Sequence, residues 1–259
     1  AVIAAPTDNI FAAASGGTTP SVGVAGGVQP HLLAAASVPA GDAVGAMNGQ
    51  ASASNGVAGY AIKIAVPPGR AGMAPALSLG YSSNGGDGHE GVGWSLGGFS
   101  AIYRCPATQA SDGYTAGTTF STTDRFCLDG AKLMLSSGTY GAAGSVYHAE
   151  VNGFAKIVAH GSRGNGPDYF TLRTAAGSTL YYGRTGSADL LSPNGSIFSW
   201  SLTKSMDKNG NEIDYGYVKS GGENWPVDID YTRGNGNPGA TRWVSFSWES
   251  RSAAGASDI

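Results

Sequence analysis

The chain has 259 residues, enough for one large all-β domain or two smaller ones with a useful core; 42 are glycine, 12 are Tyr, 5 are Trp, and only 13% are charged. Its 15 basic and 18 acidic side chains give a formal net charge of -3; they are interspersed, so the sequence lacks the electrostatic footprint of nucleic-acid or anionic-membrane binding. No apolar run reaches the ~20 residues of a membrane helix, so no membrane span is expected, and the composition suits many short strands joined by glycine-rich turns.

Residues 1–59 carry only Asp8 and Asp42 as charged side chains and only Phe11 as an aromatic. Ala, Gly, Ser, Thr and Pro make up most of the rest, a composition that buries little. This stretch is expected to be a leader or a linker. Its apolar patch Val28 to Ala36 (VQPHLLAAA) suits a short helix or extended arm docked on the body. A first residue of Ala1 rather than methionine points to a processed or recombinant form.

From Tyr60 the pattern becomes that of strands, and residues 60–259 read as one β-rich domain. Tyr60, Ile62, Ile64 and Val66 share one face; after the connection PPGRAGMAP, Leu77, Leu79 and Tyr81 share another, and the two segments should pair or lie adjacent. A dense run of glycines follows from Gly80 to Gly98, which specifies backbone geometry through positive φ or close approach. Within it, GVGWSLGG places Trp94 and Leu96 on one side of an extended chain and Gly93, Ser95 and Gly97 on the other, as for packing against a second layer.

Cys105 and Cys127 are the two cysteines. They read either as a disulfide closing the loop that contains Asp112 and Gly113, worth roughly 3 kcal/mol, or as two thiols buried separately. Between and beyond them the chain reads DGYTAGTTFSTTDRFCLDGAKL. Farther on, DYFTLRT (168–174) and STLYYGR (178–184) flank Ala175 to Gly177 at hairpin spacing. Phe198, Trp200 and Leu202 alternate up to the turn DKNGN, after which Ile213, Tyr215 and Tyr217 alternate again; Asn209 and Gly210 supply the tight turn. A last pair sets Val227, Ile229 and Tyr231 opposite Val244, Phe246 and Trp248. No convincing helical periodicity runs longer than two or three turns.

These segments together resemble a known family. SLGYSSNGGDGHEGVGWSLGGFSAIYRCP, followed by the Asp124–Gly130 motif DRFCLDG, is similar to the N-terminal domain of the plasmid-virulence protein B type, shared by B components of bacterial Tc insecticidal toxin complexes and by many Rhs-repeat proteins. The hairpin MDKNGNEIDYGY also resembles an Rhs or YD repeat unit. The resemblance covers roughly Tyr60 to the C-terminus, and it implies for residues 1–59 the role of a plug arm or cleaved leader before the shell. It implies an all-β fold of short antiparallel strands and hairpins, part of the wall of a hollow Rhs or Tc-type shell that encloses a C-terminal toxin. The implied partners are the remaining shell, the toxin and Tc-type complex subunits, and the implied location is secreted or extracellular in a bacterium. The residues expected to matter are structural: Trp94, Leu96 and Gly97 for the layer contact, Cys105 and Cys127 for the loop, Asp124, Arg125 and Asp129 in the motif, and Asn209 and Gly210 in the turn.

The chemistry-bearing candidates are few. No CxxC or Cys/His spacing supports zinc, and DKNGNE gathers oxygen ligands without the full calcium-loop pattern, so no metal and no cofactor is expected. His89 has Asp87 and Glu90 beside it, but neighbours on an extended chain point to opposite faces, which favours a solvated loop over an acid–base trio. There is no nucleophile elbow, phosphate loop or dinucleotide fingerprint, so a non-catalytic role is expected. The alternative is a carbohydrate-binding or adhesin domain, with Trp225 in GENWP and the tyrosines stacking on sugars. The chain ends at SRSAAGASDI just after a strand, so the domain reads as truncated, with an edge open to association.

Overall fold

The computed structural model describes residues 2–4, 49–151, 154–236 and 239–249. The apolar patch at Val28 to Ala36 and the tail from Ser250 lie outside the described residues. The chain forms two compact units: Ala1–Pro67 with Ala76–Gly97 and Arg242–Ile259, and Pro68–Pro75 with Gly98–Thr241.

The first unit contains β1 (Val2–Ala4), β2 (Gly49–Ser54), β3 (Val57–Ile64), β4 (Leu77–Ser82), the two-residue strands β5 (Asp87–Gly88) and β6 (Gly91–Val92), and β7 (Trp94–Gly97). Strands β2, β3, β4 and β7 form an antiparallel sheet in that order. The two alternating segments pair, with Tyr60 opposite Tyr81, Ile62 opposite Leu79 and Ile64 opposite Leu77. Ile64 and Leu77 are the members of these strands that become buried. The sheet begins before Tyr60, because Gly49–Ser54 pairs with β3 through its backbone although its Gly, Ala, Ser and Gln side chains show no apolar alternation. The turn joining them is Asn55–Gly56, with φ of 51° and 78°, the geometry an Asn-Gly pair provides for a tight hairpin.

The second unit runs through β8 (Ala101–Cys105), the single-turn α1 (Gln109–Asp112), β9 (Arg125–Leu128), β10 (Ala131–Ser137), β11 (Val146–Ala149), β12 (Lys156–His160), β13 (Tyr169–Arg173), β14 (Thr179–Gly183), β15 (Asp189–Leu191), β16 (Ile197–Met206), β17 (Asn211–Ser220) and β18 (Glu223–Gly234). The last strand, β19 (Arg242–Ser247), returns to the first unit and pairs antiparallel with β1. In the second unit each strand from β8 to β14 pairs with the next, β14 pairs with β16, and β16 pairs back to β8 through Ser199–Tyr103, Trp200–Ile102 and Ser201–Ala101. Eight strands thus close on themselves, which removes their free edges.

Alternate residues of these strands fill the interior: Ile102, Phe126, Leu133, Tyr147, Ile157, Phe170, Leu172, Tyr182, Trp200 and Leu202 belong to one buried cluster. Aromatic rings dominate it, with Phe126, Phe170 and Trp200 edge-to-face at centroid distances of 5.0–5.5 Å. The barrel is therefore packed solid. Gly183 makes the closure possible at one point: at φ 83°, a Cβ there would sit 2.8 Å from Trp200 Cδ1.

The alternation read through Phe198, Trp200 and Leu202 is broken. Ile197 and Trp200 are both fully buried while Phe198 is exposed, because the register with β15 slips between Ser199 and Ile197. A β-bulge inserts one residue and turns Phe198 outward. The hairpins Asp168–Arg184 and Met206–Glu212 form as read.

Candidate functional site

The motif Asp124–Gly130 ties several polar side chains to the barrel, and Asp124, Arg125, Cys127 and Asp129 each take a distinct partner. Phe126 points inward, so Arg125 and Cys127 face out on the same strand. Asp124 is 4% exposed and accepts from Arg104 Nη1 at 3.1 Å, from Thr119 N at 2.9 Å and from Thr119 Oγ1 at 3.0 Å. Asp129 and Gly130 make the turn from β9 to β10, with φ of 46° and 91°. The Asp129 carboxylate accepts from Ala101 N at 2.9 Å and Ser100 Oγ at 2.6 Å, which ties the turn to the start of β8.

Arg104, from the Arg-Cys-Pro segment, is an inward-facing cation, 2% exposed. Besides Asp124 it donates to the carbonyls of Ile197 at 2.7 Å, Ser121 at 2.8 Å and Asn165 at 2.9 Å. Its guanidinium lies 5.6 Å from the Phe126 ring centroid and 5.9 Å from that of Trp200. Burial lowers its pKa, while the hydrogen bond and charge of Asp124 oppose that shift. One ion thus gathers the start of β16 and the connections at Ser121 and Asn165 over the core.

A disulfide joins Cys105 to Cys127 across β8 and β9. The loop it closes carries α1, capped by Thr108 and ended by Gly113 at φ 75°. Asp112 in α1 takes Arg125 Nε at 2.6 Å, Lys132 Nζ at 2.5 Å and Thr108 N at 2.8 Å. Burial works to raise the pKa of this carboxyl, but the bonds from Lys132, Thr108 and Arg125 prevail and hold it at about 2. Arg125 also lies over the Tyr140 ring at 4.7 Å.

The structure leaves the other expected residues apart from this group. Trp94, Leu96 and Gly97 sit on β7 in the first unit, opposite Tyr81, Leu79 and Ser78; Trp94 and Tyr81 have centroids 5.4 Å apart. Asn209 and Gly210 form the β16–β17 turn, but only Gly210 holds positive φ, 79°. The turn is held instead by Asp207, which accepts from Asn209 N at 2.8 Å, Asn211 N at 2.9 Å and Asn211 Nδ2 at 2.7 Å; these bonds, that of the Asn211 side chain foremost, lower its pKa. His89 is exposed and meets Trp248 edge-on at 5.6 Å. Trp225 is half-buried and its indole N–H donates to Ser220 O at 3.0 Å. Among the described residues, no three His, Cys, Asp or Glu side chains come together as metal ligands.

Sequence reasoning missed three residues: Arg104, Asp112 and Asp189. For Arg104 a signal existed, since it shares the inward parity of Ile102. Asp189 is 2% exposed, pairs with Arg163 at 3.2 Å through Oδ2, and leaves Oδ1 without a partner. Burial, opposed by Arg163 and Lys219 and reinforced by Asp168, raises its pKa to about 6. Nothing in the local sequence SADLL marks it.

This arrangement can be compared with known proteins. The family model for the Salmonella virulence plasmid 65kDa B protein matches residues 52–244. The mono(ADP-ribosyl)transferase SpvB of Salmonella typhimurium is 27% identical over 188 residues, covering 67% of this chain and 32% of the relative; its counterpart in Salmonella choleraesuis is 29% identical over 196 residues, with the same coverage. The chain thus spans about a third of the length of the curated relatives it matches. Among solved structures, the N-terminal domain of effector protein SpvB from Salmonella typhimurium is 26% identical with a TM-score of 0.50, over 65% of this chain and 62% of that one. The TcdB2-TccC3 structure superposes on 75% of this chain and 11% of its own, at a TM-score of 0.57 and 18% identity. The Tc holotoxin pore of Photorhabdus luminescens gives 0.57 over 79% of this chain and 11% of its own, at 19% identity. These likenesses show the all-β fold of Tc toxin chains. With its barrel, its occupied DRFCLDG motif and a family model that spans most of its length, the chain belongs to the Salmonella virulence plasmid 65kDa B protein family.

Proposed function

We propose that the chain is a non-catalytic structural part of an Rhs or Tc-type β-shell that encloses and helps deliver a toxic polypeptide, in a secreted or extracellular bacterial protein. The observation that supports this reading is the occupation of the motif: Asp124, Arg125, Cys127 and Asp129 all bind other parts of the same barrel. Side chains spent in this way brace a wall and leave none of the four poised for a substrate. Because the barrel is filled by its own core, the enclosed space lies outside it, and the barrel serves as a solid block in the wall. The transferase activity in the name of the Salmonella relatives belongs, on this reading, to the two thirds of those proteins that the chain does not match.

The test uses the natural full-length polypeptide that carries this chain. Electron cryo-microscopy is expected to show a closed β-walled cavity with the barrel in its wall, and limited proteolysis is expected to spare the enclosed segment. Transfer of labelled ADP-ribose from NAD to any protein by the 259-residue chain alone would overturn the non-catalytic part. The carbohydrate-binding reading would be revived by glycan-array binding that is lost in Trp225→Ala.

A further inference from the structure

Strands β12, β13 and β14 hold Ile157, Ala159, Phe170, Leu172 and Tyr182 in the core, so the intervening side chains stand on the outer surface of the barrel. Across the register that surface has three rows. Lys156 lies opposite Arg173; Val158, Thr171 and Tyr181 form the second row; His160 lies opposite Tyr169. His160 and Tyr169 stack, with centroids 4.6 Å apart and planes within 10°. Arg184, directly after β14, sits over Tyr169 at 5.5 Å and Tyr181 at 5.2 Å. Lys156, Arg173 and Arg184 are exposed, and none stands among the cations paired with a carboxylate in the described residues.

Two features of this face work against stability. Like charges directly opposite each other on antiparallel strands repel, and Lys156 faces Arg173. Arg184 holds a φ of 73°, in the left-handed region that a long side chain avoids. Elsewhere the same barrel neutralises its cations: Arg104 meets Asp124, Arg125 and Lys132 meet Asp112, and Lys204 meets Glu212 and Asp214. Three uncompensated cations on one sheet face, in a chain of net charge -3, call for a negative partner.

We infer that this face is an interaction surface for an acidic polypeptide segment, whose carboxylates meet Lys156, Arg173 and Arg184 across the aromatic floor of His160, Tyr169 and Tyr181. Strands ~4.8 Å apart and alternate residues of an extended chain ~7 Å apart place side chains of both partners on matching scales. Nucleic acid fits less well: affinity there comes from neutralising many phosphates in a row, and this face offers three cations. His160 adds no fourth, because burial and then Arg184 disfavour its charged form.

The probe is a fluorescein-labelled peptide of about twelve residues with alternating Glu and Thr, titrated against the 259-residue chain at low and moderate salt. Saturable, salt-weakened binding is expected, reduced at least tenfold in a Lys156→Gln, Arg173→Gln, Arg184→Gln variant. A single Lys156→Glu change places a carboxylate opposite Arg173; it should weaken peptide binding while leaving Tm equal to or above that of the parent. Absence of saturable binding, unchanged affinity in the triple variant, or a lowered Tm for Lys156→Glu would overturn the inference. So would tighter binding of an oligothymidylate, or of phosphatidylserine vesicles, than of the peptide.

Discussion

The two motifs that carry the family resemblance lie in different units and hold their shape by different means. In the first unit GVGWSLGG forms the edge strand β7, where Trp94 is half-buried and its nearest aromatic contact is Tyr81. Backbone approach specifies this strand: a Cβ on Gly97 would lie 2.5 Å from Ser78 Oγ, and Gly93 holds φ 79° against the Tyr81 ring. In the second unit DRFCLDG is held by its side chains, through a core ring, two ion pairs, a disulfide and a capped turn. Glycine specifies a path without adding buried area, so loss of a side chain should cost the first unit less than the second, where a core ring and ion pairs hold the motif.

Trp200 gives the largest expected effect. It is fully buried, donates its indole N–H to Asp168 O at 3.1 Å and touches Phe126 and Phe170. Trp200→Ala should cost about 4 kcal/mol in chemical unfolding, against about 1 kcal/mol for Trp94→Ala. Equal losses would erase the contrast between the units.

Next comes the buried ion pair. Asp124→Ala leaves Arg104 buried with its carbonyl partners but no counter-charge, a change expected to cost about 3 kcal/mol. Replacing both, as Arg104→Met with Asp124→Leu, should cost less than the single change, because no charge is then stranded. If the double variant is the less stable of the two, the guanidinium matters for its hold on Ile197, Ser121 and Asn165 rather than for its charge.

Two carboxylates of the second unit, Asp112 and Asp189, should respond to pH with opposite sign. Asp112 has its pKa held down at about 2 from 3.8, so its contribution, about 2 kcal/mol, is present above about pH 4 and lost as pH falls through 2. Asp189 has its pKa raised from 3.8 to about 6; its contribution, of similar size, is present below about pH 4 and lost as pH rises through 6. Asp189→Asn should flatten the Tm profile between pH 4 and 6 and leave the acid limb in place. Asp112→Asn should do the reverse, and identical profiles for the two variants would sink the assignment.

How much of this was legible beforehand follows from the same division. Although their register came only with the structure, strands governed by alternation, such as those carrying Ile62 and Leu79, could be read directly, because a half-buried strand repeats every second residue. Closure of the barrel could not, since β16 pairs back to β8 across nearly a hundred residues and local pattern carries no trace of it. The bulge that expels Phe198 was hidden for a related reason: it depends on the register against β15, while the sequence shows only apolar residues at one parity. The strand Gly49–Ser54 was missed because it is held by backbone bonds alone, although its Asn55–Gly56 turn was in plain view. The structural roles of Asp124, Arg125 and Asp129 came from resemblance, and their partners Arg104, Asp112 and Ser100 emerged only in three dimensions.

The smallest expected effect probes the first unit from the other side. Gly97→Ala introduces a methyl 2.5 Å from Ser78 Oγ; the hydroxyl can rotate away, so the cost should be about 1 kcal/mol rather than the several that a backbone clash would bring. Ser78→Ala in the same chain removes the hydroxyl and should restore most of that loss, measured as the shift in urea midpoint. Gly93→Ala meets the Ser82 carbonyl oxygen at 2.8 Å and sits at φ 79°, so no side-chain change can relieve it and the same rescue should fail. If Ser78→Ala rescues neither or both, the glycines of this segment are not acting through the local approach of backbone and side chain, and the contrast with the side-chain-held barrel would have to be drawn elsewhere.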